Sequence, residues 1–226
     1  MFDSLSDLVI AVGALGTASF GLVDVSRAFG GGVSNHGFAS IAAVVRKLYP
    51  AGPGPMRQAD VLDALRASWF NGKPMADQIA QAHALIGMRL VPEGAPALAA
   101  ATGLDPARLA ALAGKLDQGT PLDDADKALM GRFDQIVGAL LDGAYQHADQ
   151  SYRNAAKAWA VAVSLALALT GGWLLPREGD YFGSKAFLGA LVAGLLAAPL
   201  APVSKDLASA IGAFSRAVRP SPARPG

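Results

Sequence analysis

The sequence predicts an all-α, polytopic membrane protein with three transmembrane helices and a cytoplasmic helical bundle. Two observations predict this fold class. Residues 158–175 and 186–203 are runs of eighteen residues without a charged side chain, which is about the length that a helix needs to cross the hydrocarbon core of a bilayer. Charged residues make up only 16% of the chain, against about 25% in soluble proteins.

A third uncharged run, residues 8–23, predicts the first transmembrane helix. The run follows Asp3 and Asp7, and no lysine or arginine precedes Arg27, whereas a secretory signal peptide begins with positive charge. We therefore expect this helix to be retained. The alternative is a buried or interfacial helix, because sixteen uncharged residues fall slightly short of a full span.

Small residues in helix one predict close packing against another helix. Gly13, Thr17 and Gly21 follow one another at a spacing of four and so share one helix face. Lipid provides no hydrophobic force between helices, so a face of small residues is what allows two helices to approach closely. The glycine triplet within residues 29–37 then predicts a break and a hinge after this helix.

Residues 37–155 predict a bundle of about five helices. Apolar residues recur there at helical spacing between proline, glycine and asparagine breaks, and the turn signals of β-hairpins are missing. Residues 44–157 contain twelve Lys/Arg and twelve Asp/Glu, so this part of the chain is neutral. The predicted helices cover about residues 38–49, 56–70, 74–90, 97–101 and 105–116.

Helix two is predicted to continue out of the membrane as a stalk. Asp105-Pro106 and Thr120-Pro121 each combine an N-cap residue with a proline at the first helical position. No further proline occurs before Pro176, so a continuous helix would contain about 55 residues and be ~80 Å long, far more than a bilayer. The alternative is a break within residues 143–151.

Positive charge near the membrane predicts the orientation. Loop 176–185 has no net charge, whereas the tail after Ser204 carries a net charge of +3. Because positively charged loops stay in the cytoplasm, we expect the N-terminus outside and the C-terminus inside, in a bacterial inner membrane. The predicted domains are helix one (1–29), a cytoplasmic helical domain (30–154), a hairpin of helices two and three (155–204) and a cytoplasmic, amphipathic and basic tail (205–226).

This topology brings charges from all three helices to the inner membrane boundary. We hypothesise that Asp24 pairs with Lys205, or Arg27 with Asp206, because an unpaired charge at the edge of lipid is costly. The alternative is that each side chain extends to water independently. The predicted cluster consists of Asp24, Arg27, Arg153, Lys157, Lys205 and Asp206.

Helix two carries small residues on two opposite sides. One track is formed by residues 158, 162, 166 and 170, and the other by residues 160, 164 and 168. Two close-packing faces suit contact with the rest of the chain on one side and with another copy on the other, in a homo-oligomer or a larger membrane complex. The alternative is that alanine is common throughout the sequence. With helix three included, the predicted packing residues of the hairpin are Ala162, Ala166, Gly189 and Ala193.

Residues that would carry catalysis, or bind a metal or a cofactor, are missing from the sequence. The chain has no cysteine, and its histidines, His36, His83 and His147, form no spaced metal motif. The acidic residues at 123, 124 and 126 occupy a predicted helix start, where the helix dipole favours them. We therefore expect no enzyme activity, no cofactor and, with a net charge of +1, no binding of nucleic acid.

These features predict a non-enzymatic integral membrane scaffold or anchor. Such a protein would self-associate, or hold a partner through its cytoplasmic helical domain, and its other partner would be the lipid bilayer. The alternative is an oligomeric channel or pore, for which Ser164 and Thr170 are the only polar lining that helix two offers.

Overall fold

A computed structural model describes residues 5–26, 30–52, 55–175 and 179–218, and within these ranges the side chains of residues 9–201. This part of the chain is all-helical, as predicted, and contains no strand. The helices are α1 (Leu5–Val25), α2 (Ser34–Leu48), α3 (Gln58–Phe70), α4 (Met75–Gly87), α5 (Ala95–Thr102), α6 (Pro106–Asp117), α7 (Asp124–Leu174) and α8 (Lys185–Val218).

The chain folds into two compact units, which we call the terminal unit and the central unit. The terminal unit consists of Met1–Val33 and Asn154–Gly226, and the central unit of Ser34–Arg153. Helix α7 begins in the central unit and ends in the terminal unit. Each unit has its own packing and is described separately.

The central unit is built around one hydrophobic core. Its five helices before α7 are those predicted from the apolar spacing, and each presents its periodic apolar face to the inside. Burying a large aliphatic side chain stabilises a fold by about 1.5–3 kcal/mol, so this shared core holds the unit together. Its largest buried side chains include Ile41, Val45, Leu65, Ile86, Leu98, Leu109, Leu112, Phe133 and Leu141.

The starts of α6 and α7 are both capped by aspartate side chains, but only the start of α6 is the one predicted from the sequence. The predicted start at Asp105 is confirmed, because its side chain accepts a hydrogen bond of 2.7 Å from the backbone N–H of Arg108. The start predicted at Thr120 is wrong, and α7 begins at Asp124 instead. Asp123 accepts from the Asp126 N–H at 2.9 Å, and the Asp126 carboxylate accepts from the Asp123 N–H at 3.2 Å, which forms a reciprocal cap.

Helix α7 is continuous over its 51 residues. The alternative, a break within residues 143–151, is not present. Helix α8 continues through Pro199 and Pro202 to Val218. The side chains after residue 201 are outside the described set, and the predicted amphipathic character of the tail stays a prediction.

The glycine triplet between α1 and α2 breaks the helix, as its composition predicts. Gly30, Gly31 and Gly32 have φ angles of +71°, +91° and +46°. Three consecutive residues therefore lie in the left-handed region, where an L-residue with a Cβ atom is strained. The next helix, α2, begins two residues later at Ser34.

Two buried tyrosines of the central unit differ in their hydrogen bonding, and this difference predicts opposite effects of removing the hydroxyl. Tyr49 donates to the carbonyl oxygen of Met56 at 2.8 Å and accepts from the Met56 N–H at 3.1 Å. The Tyr145 hydroxyl has no hydrogen-bond partner among the described residues. We expect Tyr49→Phe to lower the free energy of unfolding by about 2 kcal/mol and Tyr145→Phe to raise it by about 1 kcal/mol.

Chemical denaturation of the full chain measures both changes, with Trp69 as the reporter. Trp159→Phe and Trp173→Phe leave Trp69 as the single tryptophan of the three, and its ring centroid lies 6.4 Å from that of Tyr145. Equal destabilisation by the two substitutions would contradict the assignment. Burial raises the pKa of Tyr145 to about 12. The unfolded chain loses this proton at about pH 10, so the free energy of unfolding decreases as the pH rises above that value. Tyr145→Phe should remove the contribution of this hydroxyl to the decrease.

Candidate functional site

The terminal unit exposes large apolar side chains on its outside. Among the described residues, only Met88, Leu116 and Leu140 of the exposed large apolar side chains belong to the central unit. Large apolar patches are rare on the surface of water-soluble monomers. The exposed set of the terminal unit includes Ile10, Leu22, Val25, Trp159, Leu167, Trp173, Leu174, Leu175, Phe182, Leu188, Val192, Leu195, Leu196 and Leu200.

The inside of the terminal unit is formed mainly by small residues. Its buried positions include Ser19, Ala160, Ser164, Ala190, Ala197 and Ala198, together with Gly16 and Gly194. This arrangement, with large apolar residues outside and small residues inside, is the reverse of a water-soluble core. It is the arrangement by which helices pack closely in lipid.

Helices α7 and α8 meet through a buried hydrogen bond. The hydroxyl of Ser164 donates to the carbonyl oxygen of Gly194 at 2.7 Å and also contacts the Val161 carbonyl oxygen at 3.0 Å. The contact requires glycine at 194, because a Cβ atom there would lie 2.7 Å from the Leu165 Cα. The backbones of the two helices are therefore in close contact at this level.

Helices α1 and α8 meet at Gly16. A Cβ atom at this position would lie 2.2 Å from the carbonyl oxygen of Ala197 and 2.7 Å from the Ala201 Cβ. Ser19 lies on the same side and satisfies its hydroxyl within α1, by donating to the Leu15 carbonyl oxygen at 2.7 Å. The packing face of α1 within the terminal unit therefore contains Val12, Gly16, Ser19 and Val23.

The predicted ladder of α1 lies away from this face. Gly13 is half-buried, and Thr17 and Gly21 are exposed. A Cβ atom at Gly21 would have no neighbour within 4 Å, and the Thr17 hydroxyl donates to the Gly13 carbonyl oxygen at 2.9 Å. The described contacts do not use this ladder, so its packing role stays a prediction.

The two small-residue tracks of α7 have different surroundings. Ala160 and Ser164 are buried and Ala168 is half-buried, which places this track at the contact with α8. The other track, formed by Ala158, Ala162, Ala166 and Thr170, is exposed along its whole length. The predicted packing residues Ala162 and Ala166 therefore make no contact that buries them within the described chain.

The predicted packing residues of helix three line an apolar cleft among α1, α7 and α8. Gly189 is exposed and Ala193 is half-buried, and both border a cleft of about 220 Å³. The facing helices contribute Val12 and Leu15 from α1, and Ala168 and Gly172 from α7. Small side chains on α7 and α8 leave this space open.

The predicted charge cluster is described only in part. Arg153 forms an ion pair with Asp149, one turn before it on α7, and Lys157 is exposed. Asp24 is exposed near the end of α1. Residue 27 and the side chains of residues 205 and 206 lie outside the described set, so the predicted pairs Asp24–Lys205 and Arg27–Asp206 stay predictions.

Polar side chains of the central unit form local structural contacts. His147 shares a hydrogen bond of 2.9 Å with the Ser40 hydroxyl, while the nearby carboxylate of Asp149 is bonded to Arg153. Lys115 bridges the two capping carboxylates of Asp123 and Asp126. In the part of the chain that the structure describes, no group of three His, Cys, Asp or Glu residues could hold a metal ion.

One described helix, α7, is long and apolar enough to cross a membrane by its length and composition. The apolar segments Val9–Val25 and Lys185–Ala201 are shorter. The prediction of three transmembrane helices is not confirmed, because only one described helix is long and apolar enough, and core helices of soluble proteins can meet the same criteria. No protein-family model matches the chain, and no curated protein or solved structure matches it.

Proposed function

We propose that the chain is an integral membrane scaffold or anchor with three transmembrane helices, which presents the central unit to the cytoplasm. The observation that carries this proposal is the reversed packing of the terminal unit, with large apolar side chains outside and small ones inside. Only 17% of the apolar 18-residue segment of α7 is buried, whereas a core helix would be mostly buried. An apolar exterior of this kind is favourable when it faces lipid.

The positions of two tryptophans support a transmembrane placement of α7. Trp159 and Trp173 are both exposed and are separated by about 21 Å along the helix, at 1.5 Å per residue. Tryptophans favour the two interfaces of a bilayer, so this pair fits the borders of an apolar layer. The charge distribution of the sequence supports a cytoplasmic C-terminus in a bacterial inner membrane.

The second part of the proposal is self-association through α7. Its outward track of Ala158, Ala162, Ala166 and Thr170 is exposed, and small residues on a lipid-facing helix allow another helix to approach closely. A pore has less support, because one of its two candidate lining residues, Ser164, is buried and donates its hydroxyl to Gly194. No other observation favours a channel.

Single cysteines in this cysteine-free chain test the membrane placement. Ala166→Cys and Ala139→Cys are matched, because both replace exposed alanines of α7, one in each unit. The experiment uses membranes whose cytoplasmic face is accessible to the reagent. We expect a water-soluble maleimide to label Ala139→Cys at least about tenfold faster than Ala166→Cys, because maleimide reacts with the thiolate in water. Equal labelling would contradict a lipid-facing terminal unit.

Two additions to this experiment test orientation and self-association. Asp180→Cys lies in the loop between α7 and α8 and should be labelled from outside in intact cells. An oxidant should link two copies of Ala166→Cys as a disulfide dimer, and Asp180→Cys serves as the exposed control. Labelling of Asp180→Cys from the cytoplasmic side only would reverse the orientation, and an absence of dimers would exclude this track as the contact between copies.

A further inference from the structure

An open groove of about 500 Å³ lies in the central unit beside the turn between α5 and α6. Leu104 and Leu129 give it an apolar side, and Gly103 with two alanines of α7 leaves room between the walls. Arg108 from α6 and Arg132 from α7 also line it. The groove thus combines an apolar surface with two guanidinium groups.

The backbone geometry fixes these residues in place. Gly103 ends α5 with a φ of +70°, which turns the chain so that α6 starts three residues later. On α7, residues 125, 128, 129 and 132 follow the helical repeat and so form one face towards the turn. The carboxylate of Asp105 also borders the groove, but it caps α6 by accepting from the Arg108 N–H.

Within the central unit, the two arginines differ from the other cations of α6 and α7. In the central unit, Lys115, Lys127 and Arg153 on α6 and α7 each form an ion pair with an aspartate. Among the described residues, Arg108 and Arg132 form no ion pair through their guanidinium groups. Together with the carboxylate of Asp105, these two guanidinium groups give the groove a net charge of +1.

We propose that this groove docks an acidic helical segment of a partner protein. A guanidinium group matches a carboxylate through two parallel hydrogen bonds, so two free arginines favour glutamate or aspartate side chains. Leu104 and Leu129 would take an apolar side chain of the same segment, one helical turn away. Nucleic acid fits poorly, because residues 44–157 contain as many acidic as basic residues.

This inference rests on the proposed function, because it gives the chemistry of the partner that the scaffold would hold. The test uses the full chain in uncharged lipid nanodiscs and a fluorescein-labelled helical peptide that carries glutamates four residues apart and leucines between them. A second peptide has glutamine in place of glutamate. Fluorescence anisotropy then compares the native chain with Arg108→Gln/Arg132→Gln and with the control Lys127→Gln, whose lysine pairs with Asp124 on the surface of α7.

We expect the glutamate peptide to bind the native chain at least about tenfold more tightly than the glutamine peptide, with binding that weakens as salt rises. The double arginine variant should lose this preference, and Lys127→Gln should retain it. Equal binding of the two peptides, or an unchanged preference in the double variant, overturns the proposal.

Two competition measurements test a small anion and a lipid surface as the ligand instead. Inorganic phosphate that displaces the peptide at millimolar concentration would show a small-anion site and overturn docking of a protein segment. Anionic vesicles that displace the peptide and bind the native chain more tightly than the double variant would show that a lipid surface is the ligand, which also overturns the proposal. Maleimide labelling of Ala166→Cys in the same nanodiscs reports membrane placement independently, so failure of peptide binding is distinguishable from failure of the scaffold proposal.

Discussion

Gly37→Ala is expected to lower the free energy of unfolding of the central unit by about 3 kcal/mol, at the upper end of the cost of overpacking. The reason is the close contact between α2 and α7. A Cβ atom at residue 37 would lie 2.7 Å from the carbonyl oxygen of Ala148 and 2.6 Å from the Trp69 ring. The backbone oxygen cannot rotate away as a flexible side chain can, so the two helices must separate.

Separation of these helices would also break polar contacts. Ser40 bonds His147 across this pair of helices, and Trp69 of α3, whose ring the new Cβ atom would also meet, donates its indole N–H to the Ser34 carbonyl oxygen of α2 at 3.0 Å. We therefore expect Trp69 fluorescence to change in the native state of the variant as well as in its unfolding transition. Denaturation of the chain with Trp69 as single tryptophan measures both.

Gly143→Ala is the matched control. This glycine also lies within a helix of the central unit, but a Cβ atom there would have no neighbour within 4 Å. Alanine is favoured over glycine in a helix interior by up to ~1 kcal/mol, so this variant should be slightly more stable than the native chain. If Gly37→Ala and Gly143→Ala have the same stability, the close contact of α2 with α7 is wrong.

Gly16→Ala is expected to destabilise the terminal unit by about 3 kcal/mol, while Gly21→Ala does not destabilise it. The added methyl group at residue 16 would meet the Ala197 carbonyl oxygen, whereas the one at residue 21 meets open space. Thermal unfolding in mild detergent, followed by the fluorescence of Trp159 and Trp173, compares the two variants. These tryptophans belong to the terminal unit and respond to its opening.

The same pair of glycines distinguishes contacts within one chain from contacts between copies. Gly21→Leu should weaken dimer formation, if the predicted ladder meets another copy, without lowering the thermal stability of the single chain. Gly16→Ala should lower the thermal stability of the single chain without weakening dimer formation. Loss of stability in Gly21→Ala of the same size as in Gly16→Ala would show that α1 packs through the ladder, contrary to the structure.

Helix positions could be predicted from the sequence because their signals are local. The apolar spacing of Ile41, Val45 and Leu48 predicts the buried face of α2, and Asp105-Pro106 predicts the start of α6. The start of α7 was harder to predict because Thr120 and Asp123 both have the chemistry of an N-cap. The carboxylate of Asp123 also accepts a hydrogen bond from Lys115, which lies eight residues earlier on α6, and this contact is not a local signal.

The choice of packing face could not be predicted, because α1 offers small residues on more than one side. Gly13, Thr17 and Gly21 form a regular ladder, but Gly16 is the residue that meets α8. The deciding partner, Ala197, is far away in the sequence, and nothing near Gly16 indicates it. Likewise, Gly194 indicates a close contact only when Ser164 of α7 is known to lie opposite it.

The arginine groove could not be predicted from the sequence for the same reason. Arg108 and Arg132 are on different helices, and each by itself is an ordinary exposed cation of a neutral domain. What distinguishes them is that Lys115, Lys127 and Arg153 are paired with aspartates, and only the structure shows this for Lys115, whose partners belong to α7 and its cap. The spacing of Lys127 from Asp124 was a local signal that could have identified the paired cations.

The three left-handed glycines between α1 and α2 make this connection selective for handedness. At Gly30 the surrounding space is open, so the obstacle to a side chain is the backbone angle alone. An L-alanine would strain the turn, whereas its mirror image adopts positive φ without strain. A chemically ligated chain with D-alanine at position 30 should therefore keep the native turn and, with less freedom in the unfolded state, exceed the glycine chain in stability.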